Sequence, residues 1–161
     1  MKVAIGSDHR GTEARIHLQE LLKRQGHEVV VYSVNDGKSC DYPDVAYPVS
    51  RAVADGAADR GILICGTGIG MSIAANKVAG VRAALVHDEV GADISRRHND
   101  ANILCLSGDM LGLRIIDRIV LTWLRTEFEG GRHARRISKI HAIERGQDPG
   151  SVAAGSTVAA E

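Results

Sequence analysis

The segment Ile62-Leu63-Ile64-Cys65-Gly66-Thr67-Gly68-Ile69-Gly70 carries one thiol from an apolar run into a glycine-rich turn, with a helix-like segment behind it. Glycines let the backbone approach a ligand closely and turn successive N–H groups inward. A turn of that kind at a helix start stabilises anions, a thiolate among them. The pattern suits proton chemistry on a small anionic substrate. The competing reading is a buried strand cysteine, which is how Cys105 reads. Other loop types fit less well. A triphosphate-binding loop needs Gly-Lys-Ser/Thr, whereas Gly70 is followed by Met71-Ser72. A dinucleotide fingerprint wants a small residue where Met71 stands and normally follows the first strand. Cysteine-dependent phosphatases close their loop with an arginine, for which Met71 is no substitute.

Four more clusters carry reactive groups. Arg97-His98-Asn99-Asp100 ends a helix-like stretch. A histidine there is either a surface group at the helix end or a neutral-pH proton carrier. In Gly130-Gly131-Arg132-His133-Ala134-Arg135-Arg136, Arg132 and Arg136 stand four apart and share a helical face. Two guanidinium forks on one face suit a phosphate dianion, and a solvated basic helix is the alternative. Asp8-His9 follows the first apolar run, where an acid either serves the chemistry or caps the next helix. In Asp41-Tyr42-Pro43, Pro43 can start a helix and Tyr42 can wall a pocket with a polar tip.

Short apolar runs must position these groups. Strands are expected at Lys2–Gly6, Glu28–Val34, Gly61–Cys65, Arg82–Val86 and Asn102–Leu106, with the turn Asn35-Asp36-Gly37 closing the second. Amphipathic stretches at Gly11–Gln25, Asp44–Asp55, Gly70–Val78, Glu89–Arg97, Leu111–Phe128 and His133–Arg145 read as helices. Ala14, Ile16, Leu18, Leu21 and Leu22 mark the first core face, and Ile115, Ile116, Ile119, Val120 and Leu124 that of the long helix. Alternating strands and helices predict an α/β fold: a three-layer α/β/α sandwich on a five-stranded parallel, Rossmann-like sheet. Ligands bind beyond the carboxyl ends of such strands, where Ser7-Asp8-His9, Cys65–Gly70 and Gly108-Asp109 fall. Residues 1–146 read as one domain, and 147–161 as a small, polar, disordered tail.

Composition narrows the function. The formal net charge is zero and the aromatics are one Trp, one Phe and three Tyr, which argues against nucleic-acid binding. No stretch is long and apolar enough to span a bilayer, and Met1–Gly6 is too short for a signal peptide. Cys40, Cys65 and Cys105 lack paired zinc spacing and suit a reducing cytoplasm.

Together these segments resemble the type B ribose-5-phosphate isomerase family, which also holds subunits of galactose-6-phosphate and allose-6-phosphate isomerases. The resemblance rests on Gly6-Ser7-Asp8-His9, Asp41-Tyr42-Pro43, the block from Cys65 to Lys77, Arg97-His98-Asn99-Asp100 and Glu129-Gly130-Gly131-Arg132-His133, in that order. It runs from Lys2 to about Arg145. It implies an aldose–ketose isomerase of phosphorylated sugars, ribose 5-phosphate to ribulose 5-phosphate, with no metal and no nucleotide cofactor. Cys65 would move the proton between C2 and C1. Thr67 and the amides of Gly66, Gly68, Ile69 and Gly70 would hold the enediolate. His98 would open the sugar ring, Asp8 would handle hydroxyls and Asn99 a sugar oxygen. His9, Arg132 and Arg136 would hold the phosphate. The resemblance further implies a homodimer or dimer of dimers, with the site between subunits. A variant of the family uses a glutamate base from the next helix; no acid stands between Met71 and Asn76.

One position departs. After strand five the family commonly has a phosphate-binding arginine, and here Asp109 stands in Ser107-Gly108-Asp109-Met110-Leu111. Asp109 reads either as the N-cap of the Leu111–Phe128 helix or as the mark of a changed substrate: a different chain length, as in a tetrose or hexose phosphate, or a phosphate held elsewhere. A non-catalytic phosphosugar-binding protein is the remaining alternative.

Overall fold

Val3, Ile5, Ile62, Ile64, Leu104 and Leu106 pack on one side of a sheet, and Ala4, Leu63, Cys65, Ile103 and Cys105 on the other. Strands apolar on both faces need cover on both. The computed structural model, which describes residues 1–32 and 38–152, shows that cover. Strands β1 (Lys2–Ser7), β2 (Glu28–Val31), β3 (Arg60–Cys65), β4 (Ala83–Leu85) and β5 (Ile103–Ser107) form one parallel sheet in the order β2-β1-β3-β5-β4. Helices α1 (Thr12–Arg24), α4 (Glu89–Asn99) and α5 (Leu113–Arg125) bury apolar faces on the first side. Helices α2 (Tyr42–Ala54) and α3 (Ile69–Ala75) do so on the second. Helix α6 (Arg132–Glu144) packs beside α4. The three-layer α/β/α reading holds.

Several boundaries differ for local reasons. A 3₁₀ turn at His9–Gly11 precedes α1, because the Asp8 carboxylate accepts hydrogen bonds from the Arg10 and Gly11 N–H groups at 2.9 and 3.2 Å. Helix α2 starts at Tyr42, with Pro43 in its first turn. The long helix is shorter than the sequence suggests. Its N-cap is Gly112 without a side-chain cap, so Asp109 does not cap it. Its buried stripe is Ile116, Ile119, Val120 and Trp123, at i, i+3, i+4 and i+7. Ile115 lies one position off that stripe and is exposed, as is Ile16 on α1. The tail does not lose structure at once, since Pro149–Ser151 forms a 3₁₀ turn against α6. The turn Asn35-Asp36-Gly37, the end of the second strand and residues 153–161 lie outside the described residues.

The chain order creates the crevice. From β1 the chain moves outward to β2, then returns to place β3 on β1's other side. The connection after β1 leads to α1 on one face, and that after β3 leads to α3 on the opposite face. Loops that part in this way open a cleft at the carboxyl edge. Among the described residues, no helix is long and apolar enough to cross a membrane.

Candidate active site

Cys65 is the last residue of β3, paired with Ser107 at the end of β5. It is buried, and the Gly68 N–H donates to its Sγ at 3.2 Å. That contact requires Gly68 in the left-handed region, at φ 77°. A Cβ there would also sit 2.5 Å from Leu85 Cδ1 and 3.0 Å from the Leu106 carbonyl. Conformation and space both demand glycine. Thr67 Oγ1 accepts from the Ile69 N–H at 3.3 Å. The Tyr42 ring lies over Gly70, where an added Cβ would meet it at 2.7 Å.

Neighbouring loops brace the turn. The Ser107 hydroxyl donates to the Gly66 carbonyl at 2.6 Å and accepts from the Met110 N–H at 2.9 Å. The Gly108 N–H donates to the Cys65 carbonyl at 2.8 Å, and the Asp109 N–H to that of Gly66 at 3.1 Å. Asp8 is buried beside β3, its N–H donating to the Ile64 carbonyl at 3.1 Å. Its role as a cap is real, and both turn hydrogen bonds use Oδ1. His9 is exposed, its Nδ1 at 3.5 Å from the Cys40 amide nitrogen. Asp109 holds the Arg10 guanidinium, accepting from Nε at 3.1 Å and from a terminal nitrogen at 2.7 Å.

The remaining expected residues form a second cluster on the opposite edge of the sheet. Helix α4 runs back from the carboxyl edge, so its last residues, His98 and Asn99, lie where β5 begins. Four strand steps separate Ile103 from Ser107, about 13 Å along the sheet. Within one chain, therefore, His98, Asn99, Arg132 and Arg136 do not meet Cys65.

That cluster is ordered. The His98 and His133 rings stack with centroids 4.1 Å apart and planes within 6°. Glu129 Oε2 lies 3.7 Å from His98 Nε2 and 3.4 Å from His133 Nε2, while Arg97 Nε donates to Oε1 at 2.9 Å. Arg97 holds the Glu129 carboxyl below its usual range. Burial pushes His133 below an ordinary histidine, and the charges of His98, Arg132 and Arg136 add to this. Arg132 and Arg136 are exposed at the start of α6.

His98, Glu129 and His133 are potential ligands for a metal ion. A metal binds an imidazole nitrogen in the plane of its ring. Two stacked parallel rings share no such point, so this arrangement suits ring-on-ring support and not a shared ion. Sequence reasoning assigned no role to Arg10 or Glu129. Glu129 stood in a quoted motif, whereas Arg10 gave no signal because its partner lies 99 residues away.

Comparison with known proteins matches residues 3–140 to the Ribose/Galactose Isomerase family. The chain is 44% identical over 143 residues to ribose-5-phosphate isomerase B of Escherichia coli (strain K12), covering 89% of this chain and 96% of that one. It is 41% identical over 145 residues to D-erythrulose-4-phosphate isomerase of Pectobacterium atrosepticum, covering 89% and 95%. A solved structure of Clostridium thermocellum ribose-5-phosphate isomerase B superposes with a TM-score of 0.90 at 50% identity, covering 91% of this chain and 99% of that one. The crevice, the fold and these matches agree: the chain belongs to the ribose/galactose isomerase family.

Proposed function

We propose that this protein interconverts phosphorylated aldoses and ketoses, with ribose 5-phosphate and ribulose 5-phosphate as its pair, through an enediolate and without a metal. The observation that carries this reading is the Cys65 sulfur under the Gly68 N–H, in a glycine-rich turn that leads straight into α3. The Cys65 thiolate takes the proton from C2 of the open-chain aldose. The C2–H electron pair becomes the C1–C2 double bond, and O1 takes up the negative charge. Thr67 and the amides of Gly66–Gly70 stabilise that oxygen. A proton passes from O2 to O1, and the thiol returns its own to C1. Atoms and charge balance with no redox partner.

Ring opening needs a second proton carrier, and His98 lies on the far edge of the same chain. The reading is completed by a second copy of the chain, which brings His98, Asn99, Arg132 and Arg136 to Cys65. The faces around the crevice support this. Tyr42, Tyr47, Ile69 and Ile73 are exposed apolar residues on α2 and α3, and Ile69 and Ile73 are four apart on one helical face. The three unpaired cysteines fit a reducing cytoplasm.

A tetrose phosphate is the second reading. It is favoured by the acid at Asp109 and by a relative named for erythrulose 4-phosphate. The test is ketose formation from tetrose, pentose and hexose phosphates. Pentose phosphate should give the highest kcat/KM, and Cys65→Ala should lose at least about a thousandfold in kcat. Full turnover by Cys65→Ala would remove the role given to the thiol. An inert panel would remove the isomerase reading.

A further inference from the structure

Arg10 and Asp109 meet at the mouth of the crevice, and the pair does more than join two loops. Asp109 Oδ2 lies 2.8 Å from where a Cβ of Gly66 would be, and Arg10 Cβ lies 3.8 Å from the same point. The pair therefore covers the residue next to Cys65. Arg10 is also fixed at its backbone, since its N–H donates to Asp8 Oδ1 at 2.9 Å. Both guanidinium contacts go to one carboxylate oxygen, through Nε at 3.1 Å and a terminal nitrogen at 2.7 Å. A guanidinium has five N–H donors. Two are engaged, and among the described residues the other three have no hydrogen-bond partner.

Stability does not account for the pair. The Arg10 and Asp109 side chains are 58% and 37% exposed, and ion pairs that open to water contribute little. Its effect is to hold a planar donor group at a set angle beside the loop that follows Cys65. A bare acid at the mouth would repel an anionic substrate, whereas a paired acid is neutralised and turns the arginine's free edge outward. Guanidinium donors arranged in a fork match a phosphate or carboxylate.

We infer that Arg10, held in place by Asp109, grips the phosphate of the substrate and sets which sugar chain length the crevice accepts. Arg10 is the binding group and Asp109 a positioning residue that acts through it. This rests on the sugar-phosphate reading above, and the experiment separates the two.

The experiment measures inorganic phosphate affinity by calorimetry on the intact protein, and kcat/KM for tetrose, pentose and hexose phosphates. Arg10→Gln should weaken phosphate binding tenfold to a hundredfold, roughly the effect of losing a charged hydrogen bond. KM for the best substrate should rise in parallel, with Arg10→Lys recovering part of both. Asp109→Asn should change the ratio of kcat/KM between pentose and tetrose phosphate at least about threefold, because the guanidinium loses its fixed angle. Thermal melts check that each variant folds, as substitutions at exposed side chains should. Unchanged phosphate affinity in Arg10→Gln would overturn the grip. An unchanged ratio in Asp109→Asn would overturn the positioning role. If the whole panel is inert yet Arg10→Gln still loses phosphate, the isomerase reading fails and Arg10 keeps its anion.

Discussion

Cys65 and Cys105 sit on the same face of adjacent strands, two residues apart in register, yet their settings divide their roles. Cys105 is fully buried, and that burial pushes its thiol well up, with Cys65 adding to the effect. A thiol kept protonated is a packing group. Cys105→Ala should lose about 1 kcal/mol of stability in urea and keep its turnover, the opposite of Cys65→Ala. A joint loss of turnover would put Cys105 in the chemistry. The glycines of the turn also divide. Gly68 is left-handed and hemmed in by backbone, so Gly68→Ala carries about 1–2 kcal/mol of conformational strain before any clash is counted. The displaced N–H should lower kcat about a hundredfold. The three atoms nearest a Cβ at Gly70 all belong to the Tyr42 ring, which can swing away, so Gly70→Ala should act more mildly and mainly on KM. Equal damage from both, read as melting temperature and kcat, would contradict this division.

Helix α4 shows how an element holds a reactive group steady. Its C-cap, Asp100, has φ 43°, an uncommon conformation for a residue with a side chain. Two arginines hold it there. Arg96 donates to Oδ1 at 2.7 Å and Arg82 to Oδ2 at 3.1 Å, while Arg82 Nε also reaches the Asn99 carbonyl at 3.0 Å. Arg96 is 2% exposed and lies 5.8 Å from the Trp123 ring centre. Asp100 is 34% exposed and would keep Arg82, so Arg96→Met should destabilise the fold by about 2 kcal/mol, through the hydrogen bonds lost to Asp100 and to the Ala101 carbonyl. The turn bearing His98 and Asn99 should loosen with it, raising KM. A melt within a degree or two of the parent would show the brace to be idle. None of this is legible in the sequence, because the partners of Arg96 and Arg82 come together only in the fold. What was legible had local causes. Apolar runs gave the five strands, and glycines marked the turn at Cys65. The Arg10–Asp109 pair, the turn of α5 that exposes Ile115, and the stacking of His98 on His133 all depend on contacts between distant segments. Asp109 is no helix cap for the same reason: its carboxylate is taken by Arg10, 99 residues away.

At the scale of the whole molecule, three histidines are held below their ordinary range: His27, His133 and His141, each mainly by burial. The unfolded chain therefore binds protons first as the pH falls through about 6.5, and folding stability declines below that value. It stops declining once the pH drops past the lowered folded values. Above about pH 7.5 these groups contribute nothing to the slope. Melting temperatures should fall between about pH 7 and 5, and His141→Gln should flatten the fall; a parent curve flat over that range would refute the linkage. The wider question is how reactive groups on opposite edges of one sheet can serve one substrate. The isologous pair of subunits proposed above would answer it, if its two-fold axis set the Cys65 edge of each copy against the His98 edge of the other. On that proposal each site would need Cys65 from one chain and His98 from its partner. Cys65→Ala and His98→Ala homodimers are each inactive on that scheme. Co-refolded in equal amounts, half of the dimers are mixed, and each mixed dimer has one intact site and one doubly defective site. About a quarter of the parent activity should return. A site contained within one chain has no such route, since every chain in the mixture lacks one of its two proton carriers. Mixtures no more active than the separate variants, with mixed dimers present by mass, would overturn the shared site.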